Sequence, residues 1–576
     1  MSFSINFNRL GRDLAAMEAA GTAGRTMKGR RLRLRSGLVL ATLSGAMLAA
    51  GIGAQPGWAA DAATPVSGGT LIYATDREPT CLDPHVDGDM PQVFVAQQFL
   101  DSLVSMDKDG HIGPWLAKSW TISPDGKTYT FSLRDDVTFT NGEKFTSAAV
   151  KANLDHMINP ATQSSTAGGY VQQYVGTDTP DDHTAVVHLS KPYAAFLEVL
   201  AQGFLGIEAP SALKRSRDEN CQSPVGSGPF KVTRWDHQSQ VVLERNPDYR
   251  WAPPTTLHQG PAYLEKVIWK FIPEPAVRFA ALQSGSVDVI EVLPPESEAA
   301  AEKNPDLTLL IKDRPGNPTN GELNTKRAPF DDIRFREAFV RSADIDGALA
   351  SVYFGRYHHA SGPLSSATPF YSGDFQHADD YDPDRANKLL DEAGWKDRDS
   401  SGFRVKNGQS LVVHVPIGAS ISPAERSLWE QVQATAGQVG FDVRLEPVGD
   451  TESSERQGKW DYDVTLDYWN TNTADVLRIV FGSEFLGAAG SGGYHQNGSG
   501  FKNAEFDDVV EKALETQDPD KRKDYYHQAQ KIISSQYLQL RTYPQSTRLG
   551  VYKTAHDVRL EPSLTVTTLY DAWVSK

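Results

Sequence analysis

The sequence predicts a mixed α/β protein built as two bodies. Three observations carry this. The chain has 576 residues, too many to bury around one core. Strand, helix, strand runs with short connections occur twice, over 267–292 and over 411–445, and each implies parallel pairing by a right-handed crossover. Between about 110 and 222 the pattern is instead one of short alternating strands and tight turns, a hairpin-rich insertion.

In chain order, Thr70-Leu-Ile-Tyr-Ala74 is the first strand, and the loop Arg77 to His85 leaves its carboxyl end. Next come two turn signals, Pro124-Asp125-Gly126 and Asn141-Gly142, residue types that tolerate positive φ. Between them Tyr129, Phe131 and Leu133 alternate with Thr130, Ser132 and Arg134, a period-2 strand. Thr146 is the expected N-cap of the helix that follows, and Val186–Leu189 adds another strand. Further on, Val267–Ile272 and Val287–Val292 are strands around a helix from Pro275 to Gln283 that stops at Gly285. Strands Leu411–Val415 and Phe441–Leu445 flank a helix that starts at Ser422-Pro423 and reaches about Ala436. A capped helix covers Asp384 to Ala393, a strand covers Asp461–Tyr468, and helices lie near 503–516 and 519–535. No internal repeat or long low-complexity segment interrupts this order.

The net charge is −16, from 57 Lys and Arg against 73 Asp and Glu. Eight of those bases and two of those acids lie in residues 1–60, so the remainder holds 49 and 71, a net −22. A body that acidic does not attract nucleic acid or anionic lipid through its bulk charge. Lys28-Gly-Arg30-Arg31-Leu-Arg33-Leu-Arg35, an uncharged stretch over 36–60 and small residues at Gly57-Trp58-Ala59 and Ala60-Asp61-Ala62 read as an export signal. The basic start follows Met27, so residues 1–26 read as an extension or an early start. The pair Arg30-Arg31 lacks the flanking pattern of twin-arginine export, which leaves the general secretory route. No Cys lies between the apolar run and Cys81, so no lipid anchor is expected. The only two cysteines, Cys81 and Cys221, suggest one disulfide in an oxidising compartment, two buried thiols being the alternative.

Catalytic signatures are missing: HExxH, G-x-S-x-G and CxxC do not occur, and Asp125-Gly-Lys-Thr128 has Thr121 where a phosphate loop needs Gly. Paired acids such as Asp135-Asp136 and Asp331-Asp332 read as solvated surface, because adjacent residues point apart. His358-His359 and His495 are the imidazoles that could serve a metal chelate, with surface or loop positions the plainer reading.

A series of motifs then points to a family. Trp115-Leu-Ala-Lys-Ser-Trp120, Tyr129–Phe139, Asn141-Gly-Glu143 and Ala148–Asn153 come first. They are followed by Pro224-Val-Gly-Ser-Gly-Pro-Phe230, Asn246-Pro-Asp-Tyr249, Ala276–Asp288, Pro329–Arg336, Tyr381–Asn387 and Ala393-Gly-Trp395. Together they closely resemble the extracytoplasmic solute-binding proteins of family 5, the peptide- and nickel-binding subunits of ABC importers. The resemblance runs along nearly the whole exported chain.

It implies the bilobed periplasmic-binding-protein fold of the cluster C type, with an extra subdomain inserted in lobe 1 and a two-strand hinge. The expected division is 1–60 extension and signal, 61–110 lobe 1, 111–222 inserted subdomain, 223–315 lobe 1, 316–540 lobe 2, and 541–576 return to lobe 1. Crossings are expected near Leu309–Pro318 and Leu538–Ser546. The implied function is capture of a short peptide or peptide-like solute in the periplasm and delivery to the permease subunits. The protein is expected to act as a monomer, without cofactor, metal or chemistry of its own. Other readings are a nickel-chelate, opine-like or other non-peptide carrier, a secreted hydrolase, and a periplasmic sensor or chaperone partner.

Ligand candidates are Glu78, Pro79 and Leu82 in the loop after the first strand, with Asp83 beside them. Tyr468, Trp469, Asn470, Asn472 and Asp475 follow the 461–468 strand, where open α/β sheets place ligands, and Tyr543 stands at the second crossing. Peptide-binding relatives pair an aspartate with the ligand's α-ammonium near this point. This chain has Asn470 there, and a shifted alignment would give the role to Asp467 or Asp475. Gly226 to Gly228 are expected to serve the backbone turn, and Arg334 and Arg336 structural ion pairs.

Overall fold

The computed structural model describes residues 64–419, 421–489 and 494–575. The expected export signal over 28–60 lies outside them. Two α/β bodies organise the described chain, each around its own sheet and core.

The first body is built on a seven-stranded sheet. Strand β1 (Thr70–Thr75) lies at its centre, with β2 (Lys266–Phe271) and β3 (Val289–Ile290) parallel to it on either side. Helix α1 (Pro275–Gln283) links β2 to β3. The expected strand–helix–strand unit is therefore present, but β1 is inserted between its two strands. The second strand is also shorter than the 287–292 run predicted. The Asp288 carboxylate accepts the Ile72 amide at 2.8 Å, and Val292 turns into left-handed φ. Beyond β3 come the Ser546–Tyr552 strand and then β4 (Leu307–Asp313) at the edge; Gln240–Arg245 and Phe230–Asp236 extend the sheet from β2. Tyr73 and Trp269, register partners on β1 and β2, stack at 3.9 Å in a fully buried layer.

The hairpin-rich region forms a separate four-stranded antiparallel sheet in the order Ala117–Ile122, Thr128–Leu133, Thr184–Leu189, Tyr174–Asp181. Tyr129, Phe131 and Leu133 face inward as the alternation requires. Thr146 occupies the N-cap of the Ser147–Ile158 helix without making a side-chain cap bond. At Gly226 and Gly228 a Cβ would collide with the Phe99 backbone, so this turn needs glycine for close approach.

The second body holds a three-stranded sheet, with β5 (Gly316–Leu323) in the middle, and a parallel pair, β6 (Val412–Gly418) and β7 (Asp442–Val448), joined through helix α2 (Pro423–Val439). Strands β8 (Val464–Asn470) and β9 (Gln539–Tyr543) flank β5, both antiparallel to it. Leu323, Phe339, Leu428, Trp429, Val464 and Leu540 pack into this second core. Residues 476–481 and the helices Ala504–Glu515 and Pro519–Ser535 instead pack into the core of the first body.

The chain passes between the two sheets as continuous strand pairs. β4 leads into β5 at 314–315, and β9 leads into β10 (Ser546–Tyr552) at 544–545. Gly316, at φ +127°, lies so close to the Trp469 carbonyl that a Cβ there would collide with it.

Candidate functional site

Between the two bodies, side chains from β1's loop, α2, β8 and β9 converge. Arg77 leaves the carboxyl end of β1. Its guanidinium donates to Asp89 at 3.0 Å and to the Tyr468 hydroxyl at 3.4 Å, so it touches both bodies. Against the effect of burial, the Tyr468 phenol and the carboxylates of Asp89 and Asp76 hold Arg77 charged. Both Arg77 and Asp89 keep about a third of their side-chain surface in water.

Across from them stands Glu425, on the first turn of α2. Ser422-Pro-Ala-Glu425 carries the residues of a capping box, but only half of the box forms. The Ser422 hydroxyl accepts the Glu425 amide at 3.1 Å, and the Glu425 carboxylate does not turn back. Among the described residues no hydrogen bond reaches that carboxylate. Burial pushes it up to about 7, opposed by the charge of Arg77. It also raises the nearby phenols of Tyr543 and Tyr353, adding to what burial does to them. Tyr543 accepts a hydrogen bond from Tyr353 at 3.2 Å, and Tyr357 packs edge-on at 5.1 Å, so an aromatic wall lines this side.

The candidates of the first-strand loop are mostly used within their own body. Glu78 accepts from the Trp235 indole at 2.7 Å, from His237 at 3.0 Å and from the Gln238 amide at 2.9 Å. Pro79 and Leu82 are buried, Leu82 in the core of the first body. Asp83 does not face the cleft. It is 1% exposed, bonded to His156, Asn220 and the His85 amide, and these donors hold it well below the usual carboxylate range despite its burial. Cys81 and Cys221 form a disulfide.

The second cluster reads differently because β8 runs on through Asn470, two residues past the expected strand end. Tyr468 and Trp469 therefore point to opposite sides of a strand. Tyr468 meets Arg77. Trp469 is 8% exposed and donates to the Tyr170 hydroxyl at 2.7 Å. Asn470 has a buried, unpartnered amide oxygen. Asn472 donates to Ser563 at 2.9 Å and to the Glu198 carbonyl at 3.2 Å, and accepts the Leu564 amide at 2.8 Å. Asp475 is fully buried in a bidentate pair with Arg478 and also accepts from Tyr193 at 3.2 Å. The structure thus uses Asn472 and Asp475 to dock this segment, and neither presents an open acceptor to the cleft.

Arg77, Asp89 and Glu425 were missed in the sequence. The available signals were the position of Arg77 beyond a strand end and the half-used capping box at Glu425. His358 pairs with Asp313 and His359 with Asp346 and Asp379, so these two imidazoles are turned to separate acids. Arg334 makes the expected ion pair with Asp332; Arg336 instead donates to the carbonyls of Phe330 and Gln536.

Two α/β bodies joined by paired strands, with charged and aromatic side chains converging between them, define a bilobed solute-binding protein. The family pattern of the bacterial extracellular solute-binding proteins, family 5, matches residues 111–482, and the chain belongs to that family. It is a transport binding protein, not an enzyme. The glutathione-binding protein GsiB of Shigella dysenteriae serotype 1 is 28% identical over 473 residues, 80% of this chain and 86% of that protein. Among solved structures, NikA from Brucella suis in complex with Fe(III)-EDTA superposes with a TM-score of 0.76 at 24% identity, covering 88% of this chain and 100% of that one. The oligopeptide-binding protein AppA from Bacillus subtilis, in complex with a nonapeptide, gives 0.77 at 21%, covering 89% and 100%. No helix among the described residues is long and apolar enough to cross a membrane.

Proposed function

We propose that this protein is the periplasmic subunit of an ABC importer that captures a short peptide or peptide-like zwitterion between its lobes. The observation that carries the reading is the opposed pair Arg77 and Glu425. A cation shared between the lobes faces a carboxylate with no hydrogen-bond partner among the described residues, and Tyr468 and Tyr543 supply flat walls. A half-buried carboxylate left without a partner is costly, and a ligand ammonium would repay that cost. Arg77 would take the ligand's carboxylate. The glutathione-binding relatives and the peptide-bound structural neighbour agree with this chemistry.

In this reading the strand crossings at 314–315 and 544–545 are the hinge, and closure brings Tyr468 to Arg77. The binding residues are Arg77, Asp89, Glu425, Tyr468 and Tyr543, with Trp469, Asn470, Asn472 and Asp475 positioning the β8 end. Residues 28–60 act as the export signal, and the released protein works as a monomer with its permease subunits.

The test is native mass spectrometry of the protein purified from periplasm, followed by denaturing release of its cargo. Peptide-like masses with one free carboxylate and one free ammonium support the reading. A metal chelate, or a neutral solute that binds equally to R77A, overturns it.

A further inference from the structure

A second acidic pocket lies in lobe 2, beside the cleft residues but not among them. Glu322 on β5 and Asp467 on β8 are on one face of the antiparallel pair, since Asn320 faces Asp467 and Glu322 faces Thr465 in register. They line a cavity of about 40 Å³ together with Gln457, Tyr462, Thr465 and His495. Glu322 is fully buried, and among the described residues no donor meets hydrogen-bond geometry at either carboxylate oxygen, though the backbone amides of Gly498 and Ser499 lie near enough to lower its pKa. Asp467 keeps some contact with solvent and points to the side of β8 opposite its neighbour Tyr468, the residue that meets Arg77.

The other groups add no positive charge. The Tyr462 hydroxyl is committed to the Gly498 carbonyl at 2.8 Å, and the Gln457 amide donates to Thr465 at 3.2 Å. His495 has Nε2 3.4 Å from the Gly458 carbonyl, which sets that nitrogen as the donor, and leaves Nδ1 as a buried acceptor without a partner. Among the described residues that line it, the pocket therefore presents two carboxyl groups and one imidazole lone pair, and no cation. Burial raises both carboxyls, Asp467 to about 7, and the nearby Asp467 raises Glu322 further.

We infer that this pocket is a subsite for a primary ammonium carried at the far end of the captured solute, as on a lysine- or ornithine-type side chain. An ammonium offers several N–H donors, and Glu322, Asp467 and His495 Nδ1 are acceptors that line a space of that size. The inference rests on capture of a zwitterion at Arg77 and Glu425 and adds a second cationic group to it.

The test compares Ala-Lys-Ala with Ala-norleucine-Ala by calorimetry at pH 7.5, and measures the thermal shift produced by 1,5-diaminopentane alone. The wild-type protein is expected to prefer the lysine peptide about tenfold or more, as loss of a charge-assisted bond implies. E322Q and D467N should erase that preference while still binding the norleucine peptide. E322Q keeps the shape of a buried carboxyl whose ionised form is costly there, so it should fold at least as stably as wild type. Equal affinity for the two peptides in wild type overturns the subsite and leaves the zwitterion reading standing. If neither peptide binds, the peptide reading falls, and the diamine decides the pocket: a shift lost in E322Q supports it, and no shift overturns it. Stabilisation by Ni²⁺ or Zn²⁺ that is lost in E322Q, with none from the diamine, also overturns it.

Discussion

Trp469 donates its indole N–H to the Tyr170 hydroxyl at 2.7 Å, and Tyr170 in turn donates to the Asn470 carbonyl at 3.2 Å. One phenol from the connection between strands 128–133 and 174–181 of the four-stranded sheet thus serves both a side chain and a backbone group at the end of β8, and both rings lie edge-to-face at 6.4 Å. This relay fixes the end of the strand that carries Tyr468 to the cleft.

Replacing Tyr170 with Phe keeps the ring and removes the relay. The Trp469 N–H and the Asn470 carbonyl both lose this partner in a buried setting, a loss of about 1–3 kcal/mol. Chemical denaturation of Y170F should show a lower midpoint with an unchanged slope. Solute affinity should also fall, because the Tyr468 end of β8 is less well fixed. An unchanged midpoint would mean that the relay contributes nothing.

The disulfide joins residues 140 positions apart and ties the first-strand loop to the Arg217–Gln222 helix. In the chain-entropy account a loop of that length contributes about 4–5 kcal/mol. The C81S/C221S double variant should melt well below wild type under non-reducing conditions and match reduced wild type. The neighbouring Asp83–His156–Asn220 network gives the change a local readout, since it is built on the same loop.

Much of the architecture was legible because alternation and turn chemistry are local properties. Tyr129, Phe131 and Leu133, and the parallel pair around α2, could be placed from period and punctuation alone. The insertion of β1 between β2 and β3 is a long-range pairing that no local pattern encodes. The site was less legible for the same reason. Glu78 and Asp475 look like cleft acids in sequence, but their partners Trp235, His237 and Arg478 are brought to them by the fold. Glu425 looks like an ordinary capping residue, and only its unturned carboxylate distinguishes it. Glu322 sits in a strand whose eight residues are all buried, and nothing nearby in sequence marks its lack of a partner.

Glu425 also makes a pH prediction. Its folded value, about 7, lies above the ordinary 4.5, so below pH 4.5 both folded and unfolded chains hold the proton and the group costs nothing. Between 4.5 and 7 the unfolded chain releases the proton first, so the stability of the empty protein falls as pH rises, then levels off above 7. A shift of that size corresponds to at most about 3 kcal/mol, reduced by the partial contact of Glu425 with water. E425Q should equal wild type at pH 4.5 and exceed it at pH 8. A saturating zwitterionic ligand should remove the difference at pH 8, because its ammonium would then pair the carboxylate. Parallel stability curves for the two proteins would rule this out.

Arg77 separates binding from folding. Its pair with Asp89 is about one-third exposed on both sides, and pairs of that kind contribute about 0–1 kcal/mol to stability. R77A should therefore melt within a few degrees of wild type when empty. In the liganded protein the same guanidinium would meet a carboxylate inside a closed cleft, where a charge-assisted contact is worth more and its removal leaves the ligand's charge unpaired. Affinity for the captured zwitterion should fall by about 10- to 100-fold, while R77K, which keeps the charge but not the planar fork, should fall between the two. Tyr468→Phe removes only the 3.4 Å contact to Arg77 and should cost less than R77A. An R77A protein that binds its solute as wild type does, with Y468F weaker than R77A, would place the ligand's carboxylate elsewhere in the cleft.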